Sequence, residues 1–175
     1  MCMAVSGVQN NDIVIKKQEL TRINNNITQN EGAIQQNGAD VAANDGAIQT
    51  NTSAQSETSS NISNVSSQIQ TVQGNKTGVQ SEIASVQASL NGMSEDDANY
   101  SDLSGQLDSL QMSLSDLEQM ETELNSQKSG YEATLSDKQQ EGEALNQTGA
   151  TLTQKGQELE RTGANLNSQK TKKEQ

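Results

Sequence analysis

The sequence lacks most of the residues that fill an ordinary globular core. It has no Phe, Trp or Pro and only two Tyr, and hydrophobic residues make up 30% of its 175 positions. Asn, Gln, Ser, Thr and Gly supply much of the remainder. Such a composition cannot fill an interior to the usual packing density. The chain is therefore either disordered or a thin rod with one narrow apolar seam, and its regular period favours the rod.

Other absences exclude whole classes of function. The chain has no His, so the commonest metal ligand and general base is missing, and no Ser-His or Cys-His catalytic pair can form. We predict no enzymatic activity, no metal and no cofactor. The net charge of −12 argues against nucleic acid as a partner and against anionic membrane surfaces. The single cysteine, Cys2, cannot form an internal disulfide.

Long apolar segments are also missing. No apolar run approaches the ~18 residues that a membrane span needs, so no membrane span is predicted. Residues 1–12 lack the basic start and apolar block of a secretory signal peptide. We therefore expect any export to use a route that needs no such signal.

What the sequence does contain is a heptad repeat. Its first core position, a, falls on Ile13 and its second, d, on Lys16, and aliphatic residues dominate position a as far as Leu90. A period of 3.5 residues sustained over many heptads predicts a coiled coil. Asn, Ser, Thr and Gly are weak helix formers, so the helix must depend on a partner helix.

Two polar ladders indicate what that partner is. Asparagine occupies four successive d positions in the first half, and glycine occupies four successive a positions in the second. The ladder residues are Asn30, Asn37, Asn44, Asn51, Gly142, Gly149, Gly156 and Gly163. If the chain folds back on itself, each Asn meets a Gly whose number adds to its own to give 193. We expect the glycines to let the helices approach closely and each Asn amide to reach a backbone carbonyl; alternatively, glycine only makes room for solvent.

The predicted fold is an all-α, antiparallel two-helix coiled-coil hairpin that self-associates into a bundle or filament. At ~1.5 Å per residue an arm of about 80 residues makes a rod of roughly 120 Å. The predicted boundaries are a flexible tail at 1–12, helices at 13–94 and 99–169, an acidic turn at 95–98 and a frayed tail at 170–175.

The turn is predicted from a break in the heptads. Ser94 or Asn99 can end or cap a helix, and Asp96 and Asp97 suit the first turn of the helix that follows. The acids do not have the spacing of a calcium-binding EF-hand loop, so we interpret them as a solvated turn.

Two polar pairs are expected inside the seam. The register places Lys76 one layer from Glu121 and places Gln55 opposite Lys138. Isolated polar groups at core positions of a coiled coil lower its stability but fix its register.

Residues 48–52, Ile-Gln-Thr-Asn-Thr, and the repeated Asn at position d resemble the stalks of trimeric autotransporter adhesins. The resemblance covers residues 23–60 and implies a parallel trimer whose core Asn rings hold anions. This chain departs from that family because it shows no head domain and because four glycines at a core position do not suit a parallel trimer. An adhesin-like stalk fragment is therefore only a third hypothesis.

The composition as a whole resembles subunits of bacterial extracellular helical filaments, including those exported by type III secretion. The chain is similar to them in being small, poor in aromatic residues and rich in polar uncharged ones, with only 19% charged residues. The resemblance implies a secreted, self-assembling rod subunit whose partners are its own copies and a secretion chaperone or other protein. The alternative is a cytoplasmic coiled-coil adaptor that binds a partner through its acidic tip near Tyr100.

Overall fold

The protein consists of two long helices. We describe it from a computed structural model that covers residues 2–175, with side chains from residue 11 onward. Helix α1 spans Cys2–Asn91 and helix α2 spans Tyr100–Glu174. The two pack against each other as a hairpin, and residues 2–175 contain no strand. The predicted all-α hairpin is confirmed.

The helices extend beyond their predicted ends at both chain termini. Residues 2–12, predicted as a flexible tail, belong to α1, and residues 170–174, predicted as frayed, belong to α2. Extending an existing helix avoids the cost of nucleation, and no proline interrupts either segment. Lys172 and Lys173 lie in the last turn of α2, where the helix dipole favours positive charge.

Many of the weak helix formers bond to their own helix. Thr21, Thr77 and Ser109 each donate a hydroxyl hydrogen bond to the backbone carbonyl four residues earlier, at 2.9 to 3.0 Å. The same bond recurs at further Ser and Thr residues on both helices. These hydroxyls are satisfied within the helix and do not need a partner outside it.

The chain divides into two compact units. The first comprises Met1–Asn51 and Glu141–Gln175, and the second comprises Thr52–Gln140. The buried side chains of the first are those of Ile23 and the four ladder asparagines. The buried side chains of the second are those of Thr58, Val65, Ile69, Val72 and Val86.

The core is one-sided. All of the buried residues just named belong to α1, and α2 has no buried residue. Apart from Ile69 they occupy d positions, whereas most aliphatic a residues are half-buried and Ile34 is 38% exposed. Two helices cover only the line directly between them, so side chains beside that line, such as Ile34, stay partly exposed.

The turn is longer than predicted, running from Gly92 to Asn99 rather than over 95–98. The Ser94 carbonyl accepts a hydrogen bond from the Asp97 N–H at 2.9 Å, and Asp97 Oδ1 accepts one from the Asn99 N–H at 3.1 Å. The Asn99 carbonyl accepts the Leu103 N–H at 3.1 Å, which places Asn99 at the N-cap of α2. Asp96 is exposed.

Candidate functional site: the asparagine and glycine seam

Three ladder asparagines bond to the backbone of the opposite helix in the first unit. Each donates an Nδ2 hydrogen bond to the carbonyl of a leucine on α2. The pairs are Asn30 with Leu159 at 3.0 Å, Asn37 with Leu152 at 3.1 Å and Asn44 with Leu145 at 3.2 Å. These contacts agree with the predicted antiparallel register.

The glycines make those carbonyls accessible. A Cβ atom added to Gly149 would lie 3.0 Å from Asn44 Nδ2, and one added to Gly163 would lie 2.9 Å from Asn30 Nδ2. Gly156 and Asn37 give 3.0 Å. Each glycine follows the accepting leucine by four residues, so its N–H bonds the same carbonyl within α2. The Asn amide occupies the space that a side chain at this position would take.

The asparagines lie at the centre of the seam. The side chains of Asn30, Asn37, Asn44 and Asn51 are only 4 to 8% exposed. A buried amide that keeps its hydrogen bond adds modest net stability, but one that loses its partner is costly. Asn37 Oδ1 is buried and has no hydrogen-bond partner. Each amide therefore stabilises the fold only in a register that gives it an acceptor across the seam.

The fourth rung differs from the other three. Asn51 Nδ2 donates a hydrogen bond to the Glu141 carboxylate at 3.1 Å. In the second unit, Gln55 Nε2 donates to the Lys138 carbonyl at 3.2 Å. Gln55 and Lys138 thus meet as predicted, with the backbone of Lys138 as the acceptor. Lys138 precedes Gly142 by four residues, as Leu145 precedes Gly149.

The other predicted polar pair also forms in the second unit. Lys76 Nζ donates to Glu121 Oε2 at 2.8 Å, and Gln73 Nε2 donates to Glu121 Oε1 at 2.8 Å. The side chains of Lys76 and Glu121 are 23% and 20% exposed. The hydrogen bonds from Lys76 and then Gln73 lower the pKa of Glu121, and the bond to Glu121 raises the pKa of Lys76.

These shifts predict a pH-dependent contribution to stability. A carboxyl whose pKa is lowered by folding stabilises the folded chain above its ordinary pKa of 4.5, and this is lost as the pH falls through the folded value. The raised pKa of Lys76 stabilises the fold below 10.5 and is lost as the pH rises through the folded value. We expect the melting temperature of Glu121→Gln to lie below that of wild type near neutral pH and the gap to close below pH 4.5.

Thermal unfolding followed by circular dichroism measures this gap. Glu118→Gln is the matched control, because Glu118 is 57% exposed and lies 4.0 Å from Lys76 Nζ. It should melt close to wild type at every pH. A gap for Glu121→Gln that stays constant from neutral to strongly acidic pH would mean that the pair does not stabilise the folded chain.

Several of these contacts had no direct sequence signal. Glu141 as the partner of Asn51, Gln73 as the second donor to Glu121, and the Glu19–Lys173 ion pair in the first unit were not predicted. The leucine carbonyls had a signal in the four-residue spacing between each Leu and the next Gly. That spacing identifies the leucine carbonyl that stays accessible because the glycine four residues later has no side chain.

The seam packs the two helices against each other through these hydrogen bonds. Among the residues that the structure describes, no group of three or more Cys, Asp or Glu side chains is placed to hold a metal ion. Within the same residues, neither helix has an apolar stretch suited to crossing a bilayer. Comparisons with protein-family models, curated proteins and solved structures give no match.

Proposed function

We propose that the chain is a structural subunit that self-assembles into a bundle or filament. The observation that carries this proposal is the surface left uncovered by the hairpin. The chain exposes 12237 Å². A compact monomer of 18.7 kDa exposes about 8300 Å² by the usual scaling of area with mass. Association of copies would bury part of this excess.

The half-covered seam supports the same proposal. Ile34 is 38% exposed, and Leu145, Leu152 and Leu159 on α2 are only half-buried. Long helices of low intrinsic propensity depend on tertiary packing for their stability. Neighbouring copies that cover these aliphatic side chains would supply the packing that a single hairpin lacks.

The outer surface is suited to contacts between copies. Ser and Thr hydroxyls already bonded within their own helix can be buried without leaving a donor unsatisfied. The low share of charged residues, 19%, limits the number of charges that association would have to desolvate. We therefore propose lateral packing through these small polar side chains.

An extracellular location is the second part of the proposal. It depends on the compositional resemblance to secreted filament subunits, with a secretion chaperone as a further partner before assembly. Secretion assays in a host that has a signal-independent export system test this part separately from assembly.

Electron microscopy and sedimentation velocity of purified protein test assembly. We expect fibres or bundles whose amount rises with protein concentration. Discrete monomers or dimers at the highest soluble concentration would overturn the proposal. They would favour the cytoplasmic adaptor, which should change its state only when a partner is added. Tyr100, which the adaptor hypothesis places at the binding tip, is half-buried.

A further inference from the structure

Exposed large apolar side chains concentrate at two places on this chain. Among the side chains that the structure describes, there are six of them, and five lie in two short segments of opposite charge. The first group is Ile13, Val14 and Ile15, and the second is Met112 and Met120. Exposed apolar groups rimmed by polar residues mark interaction surfaces.

The first surface, which we call the basic surface, belongs to the first unit. Ile13, Val14 and Ile15 are 63%, 50% and 46% exposed and are followed at once by Lys16 and Lys17. Residues 11–22 and 165–175 together hold six basic and three acidic side chains. One of those acids, Glu19, is paired with Lys173. The surface is therefore apolar and positively charged within a chain of net charge −12.

The second surface, which we call the acidic surface, belongs to the second unit and lies on α2. Met112, 63% exposed, lies four residues from both Asp108 and Asp116, so the three share one face of the helix. Asp116, Met120 and Glu123 line one shallow depression farther along α2. Residues 77–127 contain ten acidic and no basic side chains.

We infer that the basic surface of one copy docks on the acidic surface of the next. Each surface has exposed apolar side chains flanked by charges, and the charges are of opposite sign. The contact joins two different patches of the same chain, so it is a head-to-tail contact, which builds a filament when the rotation between copies does not close a ring. This inference depends on the proposed function and identifies one of its contacts.

Two charge-reversed variants separate the two sides of this contact. Lys16→Glu with Lys17→Glu disables the basic surface, and Asp108→Lys with Asp116→Lys disables the acidic one. All four side chains are exposed, so both variants should keep the circular dichroism spectrum of wild type. We expect each variant alone to need at least tenfold more protein to assemble. Mixed in equal amounts, they should assemble together, because the two intact surfaces and the two reversed surfaces each form a pair of opposite charge.

Matched controls change the same charge elsewhere on exposed positions of the helices. Lys155→Glu with Arg161→Glu, and Glu31→Lys with Asp45→Lys, should assemble like wild type in sedimentation velocity. Reversed variants that assemble like wild type would overturn this contact and leave the proposed function standing. A wild-type chain that never assembles would overturn both.

The mixture also distinguishes other partners. Reversed variants that fail alone and also fail to pair when mixed would overturn the docking of one surface on the other. Vesicles containing phosphatidylserine test a lipid partner for the basic surface. The competing outcome is that the wild type binds these vesicles only through Lys16 and Lys17. If Lys16→Glu with Lys17→Glu abolishes vesicle binding but leaves assembly unchanged, the basic surface binds an anionic lipid and our inference is contradicted.

Discussion

Alanine at Gly149, Gly156 and Gly163 should destabilise the hairpin, although the same substitution at Gly32, Gly38 and Gly46 should stabilise it. The three seam glycines lie against Asn amides, where an added Cβ would approach Nδ2 to 2.9 or 3.0 Å. An added Cβ at Gly32, Gly38 or Gly46 would meet nothing within 4 Å. The two triple variants therefore contain the same chemical change in different surroundings within one unit.

The expected magnitudes follow from two opposing effects. Replacing Gly by Ala in an exposed helix stabilises it by about 1 kcal/mol. In the seam the same gain competes with a displaced amide, which costs about 1–3 kcal/mol when its buried hydrogen bond is lost. If the amide keeps its place instead, crowding the packed seam costs about 1–3 kcal/mol. We expect the melting temperature to fall by roughly 10 °C in the seam triple variant and to rise by a similar amount in the control.

Thermal unfolding below the concentration at which copies associate gives both values. If the seam triple variant melts above wild type, the Asn amides move aside at no cost and the seam is not close-packed. A seam triple variant that keeps its melting temperature but assembles poorly would instead place the glycines at a contact between copies.

Much of the fold could be predicted because its determinants are periodic. The heptads and the two ladders establish the pairing direction, and the structure places Asn44 against Gly149 as that pairing requires. The register also places Lys76 and Glu121 in adjacent layers, and their side chains form the expected pair. All layers of the seam share one register, so a wrong prediction at a single position does not change the predicted register.

Features that depend on side-chain depth and on helix ends were harder to predict. Heptad letters treat positions a and d as equivalent, but the helices are rotated so that d of α1 is buried and Ile34 at a is 38% exposed. The observed start of α1 differs from the predicted one because the helix includes residues 2–12, which show no heptad period. Glu141 is a long side chain outside the core positions, and no heptad rule predicts that it reaches Asn51.

Without the Asn amides, alanine at the three seam glycines should stabilise the hairpin instead of destabilising it. We consider Asn30, Asn37 and Asn44 replaced by alanine, alone and together with alanine at the three facing glycines. The asparagine triple variant alone loses about 1 kcal/mol per hydrogen bond, partly offset by the higher helix propensity of alanine. In that background no amide opposes the added Cβ atoms, so each glycine-to-alanine change should raise stability by about 1 kcal/mol.

A double-mutant cycle over these four proteins measures the coupling directly. We expect a favourable interaction of about 1–3 kcal/mol per rung between the two sets of alanines, since residues in contact show couplings of that size. The leucine carbonyls do not oppose this result, because each still accepts its N–H bond within α2. If alanine at the glycines shifts the melting temperature equally in both backgrounds, the amides and the glycines act independently.

The cycle also bears on why the seam pairs asparagine with glycine although a pair of alanines would be more stable. A hairpin shifted by one heptad would set Asn51 against Leu135 and bury its amide beside an apolar side chain. The native register instead gives Asn51 the Glu141 carboxylate at 3.1 Å. An all-alanine seam has no such penalty. We therefore expect the six-fold variant, which keeps Asn51, to melt above both triple variants and to hold one register. Adding Asn51→Ala to it should introduce a second register, which pairwise distance measurements between spin labels on α1 and α2 would detect as a second population.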